Sequence, residues 1–279
     1  MCPEIGATLT MTMSRTMISK EKETADLSVD EVGEFLAEYT AWLWGSGSTA
    51  IRIEKNVGRM AKTFGFEMDV ALLPRHIELA IGASLTGERT VIIRKMAACG
   101  ISFDINTRLS RLSWEIADGK IGFEEASRRF ERIKEVSPTN RWEVLMLASL
   151  ANASFCRLFG GDLAAMCVVF AATCAGFYLK QIMLGNRADV RLTFFCCAFF
   201  SAAISVGAEL FRWGGTPEIA IATSVLYLIP GVPYINAASD LIDRHYLCAF
   251  GRFCDACVLT ACLSAGLASA LLLLGMDLF

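Results

Sequence analysis

The chain has 279 residues, 54% of them hydrophobic, and its 26 Lys/Arg against 29 Asp/Glu give a formal net charge of −3. That balance offers no basic stripe for nucleic acid, and no RNA-reading motif is present, so nucleic acid is not an expected partner. The averages conceal a division: residues 1–142 carry 19 Lys/Arg and 20 Asp/Glu, residues 143–279 only 7 and 9. The first half is composed like a soluble domain and the second like a membrane bundle.

Residues 1–27 are rich in Thr, Met, Lys and Glu and lack the apolar core and cleavage site of a secretory signal. They are expected to form a disordered tail. Ser28-Val-Asp-Glu31 fits a capping box, and Val32, Phe35, Leu36, Tyr39, Trp42 and Leu43 follow at helical spacing. Gly45-Ser-Gly-Ser48 then interrupts the chain. A second amphipathic helix follows, with Ala50, Ile53, Val57, Met60 and Phe64 inward and Arg52, Lys55, Arg59 and Lys62 elsewhere, ending near Gly65.

From Phe66 the period changes to two. Phe66, Met68, Val70 and Leu72 alternate with polar residues up to Pro74; Ile77, Leu79 and Ile81 alternate again; and after a Thr86-Gly87-Glu88 turn Thr90–Arg94 makes a third strand. Two helices return, marked by Ile105, Leu109, Leu112 and Ile116 and by Phe123, Ala126, Phe130 and Ile133, the last stopping before Ser137-Pro138. Residues 28–142 are therefore expected to form an α+β domain, followed over 143–279 by an all-α transmembrane domain.

Apolar runs at 143–159, 163–184, 192–211, 217–236 and 254–274 predict five membrane spans. Basic residues precede the first span (Arg128 to Arg141), lie between the second and third (Arg187, Arg191), and precede the fifth (Arg244, Arg252). Those segments are expected in the cytoplasm, which puts the amino-terminal domain inside and the carboxyl terminus outside. Small residues in the fifth span, among them Ala261, Ser264, Gly266 and Ala268, predict close helix packing.

The fourth run breaks at Pro230-Gly231-Val-Pro233. Each proline removes a backbone donor, and irregular backbone at membrane depth persists only where protein buries it or where it lines a wet cavity. Such breaks are where transporters bind cargo, the competing reading being a kinked helix followed by a polar loop. Asn236 and Asp240 share a helical face just beyond. Asn152 in the first span and Glu209 near the end of the third are the other polar candidates for the bundle interior, although a carboxylate at a span end can also reach headgroups.

Eleven cysteines lie mostly in apolar runs, where they act as small hydrophobes. Cys254-x-x-Cys257 has metal or redox spacing but no second pair or nearby ligand His, so no metal and no cofactor is expected. Gly45-Ser-Gly-Ser48 before a helix has anion-binding form without the Lys of a phosphate-binding loop. His76 or His245 with nearby carboxylates would be the groups of a membrane-anchored hydrolase, a reading without a nucleophile elbow.

In the order Gly47-Ser-Thr-Ala-Ile-Arg52-Ile-Glu54, Glu88-Arg89-Thr90, Asn106 to Ser113, Glu124-Glu125-Ala126, Leu158 to Asp162, Pro230-Gly231-Val-Pro233 through Asn236, Asp240-Leu and Gly251-Arg252, the chain resembles the bacterial threonine/serine exporter family in its split form. The resemblance implies a subunit of a secondary transporter in the inner membrane. It would export small polar metabolites, either threonine and serine or dicarboxylates such as succinate. It also implies a hetero-oligomer with a separate small membrane protein that completes the bundle. One departure is Ser239 where the family often has a basic residue before the Asp, which leaves the substrate's charge type open. On this reading Asn236, Asp240, Pro230, Gly231 and Asn152 bind substrate, Glu209 couples protons, and no residue is catalytic. The alternatives are the hydrolase and a regulatory scaffold, and an adjacent gene for a small four- or five-span protein would favour the transporter.

Overall fold

The computed structural model describes residues 28–73, 75–83, 89–136, 139–210 and 214–274, with the side chains of Ala83, Glu209 and Leu210 excepted. The tail expected over 1–27, the Thr86-Gly87-Glu88 turn, Pro74 and Ser137-Pro138 lie outside them. Packing separates the chain into two units: the residues up to Val136 together with Ile235–Arg252, and Ser137–Tyr234 together with the residues from Phe253. A boundary at 142/143 assigns residues 235–252 to the membrane half, whereas their contacts group them with the amino-terminal unit.

In the first unit the helix and strand signals come out in the expected order. Helix α1 (Val29–Gly45) starts where Ser28 Oγ accepts from the Glu31 amide at 3.1 Å, and α2 (Ala50–Thr63) follows. Strands β1 (Phe66–Leu72), β2 (His76–Ala83) and β3 (Arg89–Lys95) pair antiparallel in sequence order, with Asp69 opposite Ala80 and Ala80 opposite Val91. Helices α3 (Phe103–Ala117) and α4 (Phe123–Lys134) complete the layer. The period-2 face Ile77, Leu79 and Ile81 is fully buried beside Leu36, Leu43 and Ile53, and one aromatic group joins Phe35 to Phe64, Phe123 and Phe130 at 5.4 to 6.5 Å. Edge-to-face rings at such spacing add to the burial of their area.

Between α2 and α3 runs a polar ladder that amphipathicity alone does not reveal. Arg52 Nη1 donates to Asn106 Oδ1 at 2.9 Å, Asn56 Nδ2 to Ser110 Oγ at 3.1 Å and Arg59 Nη1 to Ser113 Oγ at 2.8 Å. Arg59 also covers the Trp114 ring at 3.5 Å. Arg52 and Arg59, which the sequence pattern leaves on the outer face, are thus half of a helix-to-helix seam.

The second unit contains α5 (Arg141–Leu158), α6 (Leu163–Gly185), α7 (Val190–Leu210), α8 (Pro217–Ser224) and a 3-10 turn (Leu226–Leu228). Helix α9 (Gly231–Ile242) begins in it and runs into the first unit, while α10 (Tyr246–Leu273) begins in the first and continues into the second. The described chain is mostly helical, with one small sheet near its start.

The five-span expectation is only partly met. Three helices are long and apolar enough to cross a membrane: α6, α7 over Val190–Ala208, and α10. A fourth results if α8 with its 3-10 turn and α9 are one span, bent by 62° at the break. Helix α5 forms where the first span was expected, but its 18 residues include Arg141, Glu143 and Arg157. Arg252, expected in the loop before the last span, instead lies inside α10. Within the small-residue stripe, a Cβ on Gly266 would come within 2.4 Å of the Phe195 carbonyl oxygen, so α10 and α7 approach there as only glycine allows.

Candidate functional site

The residues picked out beyond the break meet the Gly45–Ser48 turn. That turn is built by local backbone chemistry. Ser46 N donates to Trp42 O at 2.9 Å, Gly47 N to Trp44 O at 3.1 Å and Ser48 N to Leu43 O at 3.3 Å, while Gly47 takes φ +86°, a left-handed conformation that glycine adopts at no steric cost. A Cβ on Gly45 would sit 2.2 Å from the Ala97 carbonyl oxygen, so the chain after β3 passes directly over this position.

Helix α2 then starts at Thr49 without a side-chain cap of its own. The Ala50 amide donates instead to Asp240 Oδ1 at 2.9 Å. Four residues earlier on α9, Asn236 Nδ2 donates to the Gly47 carbonyl at 2.7 Å. From α10, Arg252 Nη2 donates to the Ser48 carbonyl at 2.5 Å, Nη1 lies 3.1 Å from Asp240 Oδ2, and the guanidinium covers the Trp44 ring at 3.9 Å. Sequence spacing put Asn236 and Asp240 on one face; the structure gives that face three neighbours, Gly47, Ala50 and Arg252.

The electrostatics follow from burial. Asp240 is fully buried, and the Arg252 side chain is 15% exposed. A buried carboxylate is tolerable only with a cation or directed donors, and this one has a helix N-terminus on one oxygen and a guanidinium near the other. The pairing is incomplete: Asp240 Oδ2 and Arg252 Nη1 are close but not aligned as a hydrogen bond, and the buried Ser48 Oγ and Trp44 Nε1 also lack directed partners. An anion-binding turn was one reading of Gly45–Ser48, and its first helical amide is taken by a carboxylate of the chain itself.

Helix α9 ends with Arg244 at φ +65° and the His245 amide bonded to the Asp240 carbonyl at 2.8 Å. His245 Nε2 faces Glu54 Oε1 at 3.6 Å, and the Cys248 thiol points to the Leu72 carbonyl at 3.3 Å. His76, the other histidine of the hydrolase reading, is an exposed residue at the start of β2.

The remaining candidates lie in the second unit. Pro230 and Gly231 form the break itself; Pro230 is buried and Gly231 opens α9. Asn152 is 3% exposed and donates to Thr173 Oγ1 at 2.6 Å and to the Thr223 carbonyl, in the last turn of α8, at 3.0 Å. It supplies the kind of partner that backbone next to a break requires. Tyr227, in the 3-10 turn, shares a 2.9 Å bond with Ser201 Oγ, which itself donates to the Ala172 carbonyl at 3.2 Å, so the tyrosine hydroxyl is the donor. Glu209 lies in α7 with its side chain outside the described residues.

Outside the spans, Asp162 joins two connections. Its Oδ1 accepts from Ala165 N at 2.7 Å at the start of α6, its Oδ2 from Gly215 N at 2.5 Å, and its own amide donates to Thr216 Oγ1 at 3.0 Å. The Gly215 and Ala165 amides hold its carboxyl below the usual carboxylate range. Sequence reading missed the Ala50 amide as the partner of Asp240 and the Ser48 carbonyl as that of Arg252, because nothing local links residues 190 and 204 positions apart.

Comparison with known proteins places these motifs in context. A family described as "Putative threonine/serine exporter" matches residues 34–274. The chain is 25% identical, over 84% of its length and 91% of the relative's, to a Klebsiella aerogenes protein named "Probable succinate transporter subunit YjjP". Its Escherichia coli K12 counterpart of the same name is 28% identical over 68% of this chain and 74% of its own. A "Probable threonine/serine exporter" of Mycobacterium tuberculosis is 27% identical over 63% of this chain and 33% of that protein. No solved structure matches.

Proposed function

Because the chain belongs to the threonine/serine exporter family, we propose that it is a subunit of a secondary transporter exporting small polar metabolites, amino acids of the threonine/serine kind or dicarboxylates such as succinate. The observation that carries this reading is the helix broken between Leu228 and Gly231, bent by 62°, with Asn236 and Asp240 beyond it. A polar solute leaving water needs replacement hydrogen bonds, and interrupted helices expose backbone groups that provide them. Asn236, Asp240, Pro230, Gly231 and Asn152 are the substrate-binding candidates, and Glu209 is the candidate for proton coupling.

The transporter sits in the inner membrane with the amino-terminal domain, residues 28–142, in the cytoplasm and the carboxyl terminus outside. Its five spans are α5, α6, α7, the α8–α9 pair and α10; α5 qualifies because its charges sit at its two ends and its middle is apolar. A second, small membrane protein completes the bundle, a reading supported by relatives that are themselves named as subunits. The test is efflux of radiolabelled succinate and threonine from vesicles carrying this chain with and without a co-expressed partner. Flux that needs both chains, and falls at least tenfold in Asn236→Ala at equal abundance, is expected. Absence of flux for either solute with any small membrane partner encoded nearby would overturn the reading.

A further inference from the structure

Lys180 stands inside α6, five residues before that helix ends at Gly185. A lysine so near a span end ordinarily extends its stem outward and places its ammonium among the headgroups. Lys180 does not follow that course. Its Nζ lies 5.6 Å from the ring centre of Phe177, one turn back, and 5.1 Å from that of Phe194 on α7. Phe194 is a core residue, 7% exposed, so the ammonium is turned into the packing between the two helices.

Among the described residues the charge has the faces of these two rings and the Cys197 thiol for company. Among the described residues no carboxylate lies within 4.0 Å of the ammonium, and neither hydrogen bond nor ion pair is made by it. Arg252, the cation of the first unit, has Asp240 beside it. Ring faces attract a cation but take none of its protons, and a desolvated ammonium has three to give. Phe177 also contacts Tyr227 of the 3-10 turn, their ring centres 5.8 Å apart, so the lysine is one ring away from the break. Across that ring, Tyr227 is held by Ser201, and Gly176 makes room for both: a Cβ there would meet Ser201 Oγ at 2.0 Å and Tyr227 Oη at 2.2 Å.

We propose that Lys180 is a binding residue for a carboxylate of the exported metabolite, in a site of the second unit beside the break. The proposal rests on the transporter reading and names the substrate chemistry it requires: a solute carrying at least one ionised carboxylate. The carboxylate supplies the countercharge that the span lacks, and it replaces two cation–ring contacts with a charge-assisted hydrogen bond. Because no resident carboxylate must first be displaced, the site is open to any small carboxylate that reaches it, amino acid or diacid.

The experiment uses vesicles containing this chain and its partner, with radiolabelled succinate and threonine as probes. Lys180→Met is expected to raise KM about tenfold to a hundredfold for the solute that is moved, and Lys180→Arg to stay within about threefold of wild type. Wild-type KM in Lys180→Met at equal membrane abundance would overturn the proposal while leaving the transporter reading intact. No flux of either probe by wild type would overturn that reading, and this one with it. A second measurement needs no variant: a membrane-permeable amine reagent is applied to the wild-type complex and labelling of Lys180 is read by peptide mass spectrometry. Succinate should protect Lys180, and 1,4-butanediol should not; equal labelling with the two would overturn the proposal even if Lys180→Met does not fold.

Discussion

Asp240 caps a helix that begins 190 residues before it, its Oδ1 accepting from the backbone amide of Ala50 at 2.9 Å. Helix starts are usually capped by the residue next to them, because a Ser, Thr, Asp or Asn there reaches the free amides at little entropic cost. Thr49 occupies that position in α2 and makes no such bond. The cap comes from α9 instead, so the start of α2 and the end of α9 are ordered by one carboxylate.

The pair Asp240 and Arg252 should therefore behave as a coupled unit. Asp240→Asn keeps an acceptor for Ala50 but strands a buried guanidinium, and Arg252→Met strands a buried carboxylate; each should lower stability by about 3 kcal/mol. The double variant should lose less than the sum, a coupling of roughly 1 to 3 kcal/mol by double-mutant cycle. Thermal unfolding of the four proteins in detergent measures it, and additive losses would mean that the two charges do not interact.

Two glycines should respond in opposite senses to alanine. Gly45→Ala drives a methyl into the Ala97 carbonyl oxygen, which is backbone and cannot swing aside, so a loss of about 1 to 3 kcal/mol is expected. Gly58 lies within α2 with open space where its Cβ would stand, so Gly58→Ala should gain about 0.5 to 1 kcal/mol through helix propensity. Melting temperatures of the two variants, shifted down and up respectively, check both statements.

Asn152→Ala removes donors from the Thr223 carbonyl and Thr173 hydroxyl together, and should cost about 1 kcal/mol. Thr173→Val takes away only the side-chain partner and leaves the Thr223 carbonyl satisfied, so it should cost less. If Asn152 also binds substrate, its replacement reduces flux beyond what the stability loss explains, while Thr173→Val does not. Efflux normalised to folded protein separates the two roles.

Asp162 makes stability depend on pH on the acid side. Its folded carboxyl is held below the ordinary Asp value of about 3.9 by the Gly215 and Ala165 amides. A carboxyl depressed on folding contributes stability that is fully present above its unfolded value and is lost as pH falls through the folded one. Asp162→Asn should therefore flatten the fall in melting temperature below about pH 4. Parallel curves for variant and wild type would refute the assignment.

Much of the amino-terminal layer was legible because its signals are periodic. Ile77, Leu79 and Ile81 alternate, Val32, Phe35, Leu36 and Tyr39 repeat every three to four residues, and both patterns are buried as read. The break was legible too, since Pro230 and Gly231 act on their own backbone. What remained hidden depends on partners remote in sequence. Arg52 and Arg59 look like solvated helix residues until Asn106 and Ser113 come alongside. Arg252 looks like a loop charge that sets orientation until Asp240 and Trp44 close around it. Helix α5 reads as a span from its apolar middle, while Arg141, Glu143 and Arg157 at its ends keep its full length short of the composition of the other three.

The contribution of residues 235–252 to the first unit bears on how members of this family can be recombined. A fragment ending near residue 142 keeps every strand and helix of the amino-terminal layer. It gives up the carboxylate on Ala50, the donors on the Gly47 and Ser48 carbonyls, and the Cys248 side chain that belongs to its core. Chimaeras that exchange this layer as a cassette should inherit a mismatched seam unless residues 235–252, most of α9 and the first turns of α10, travel with it. Graft points that respect the seam therefore come as three cuts rather than one: in the connection before α5, before Ile235 and after Arg252.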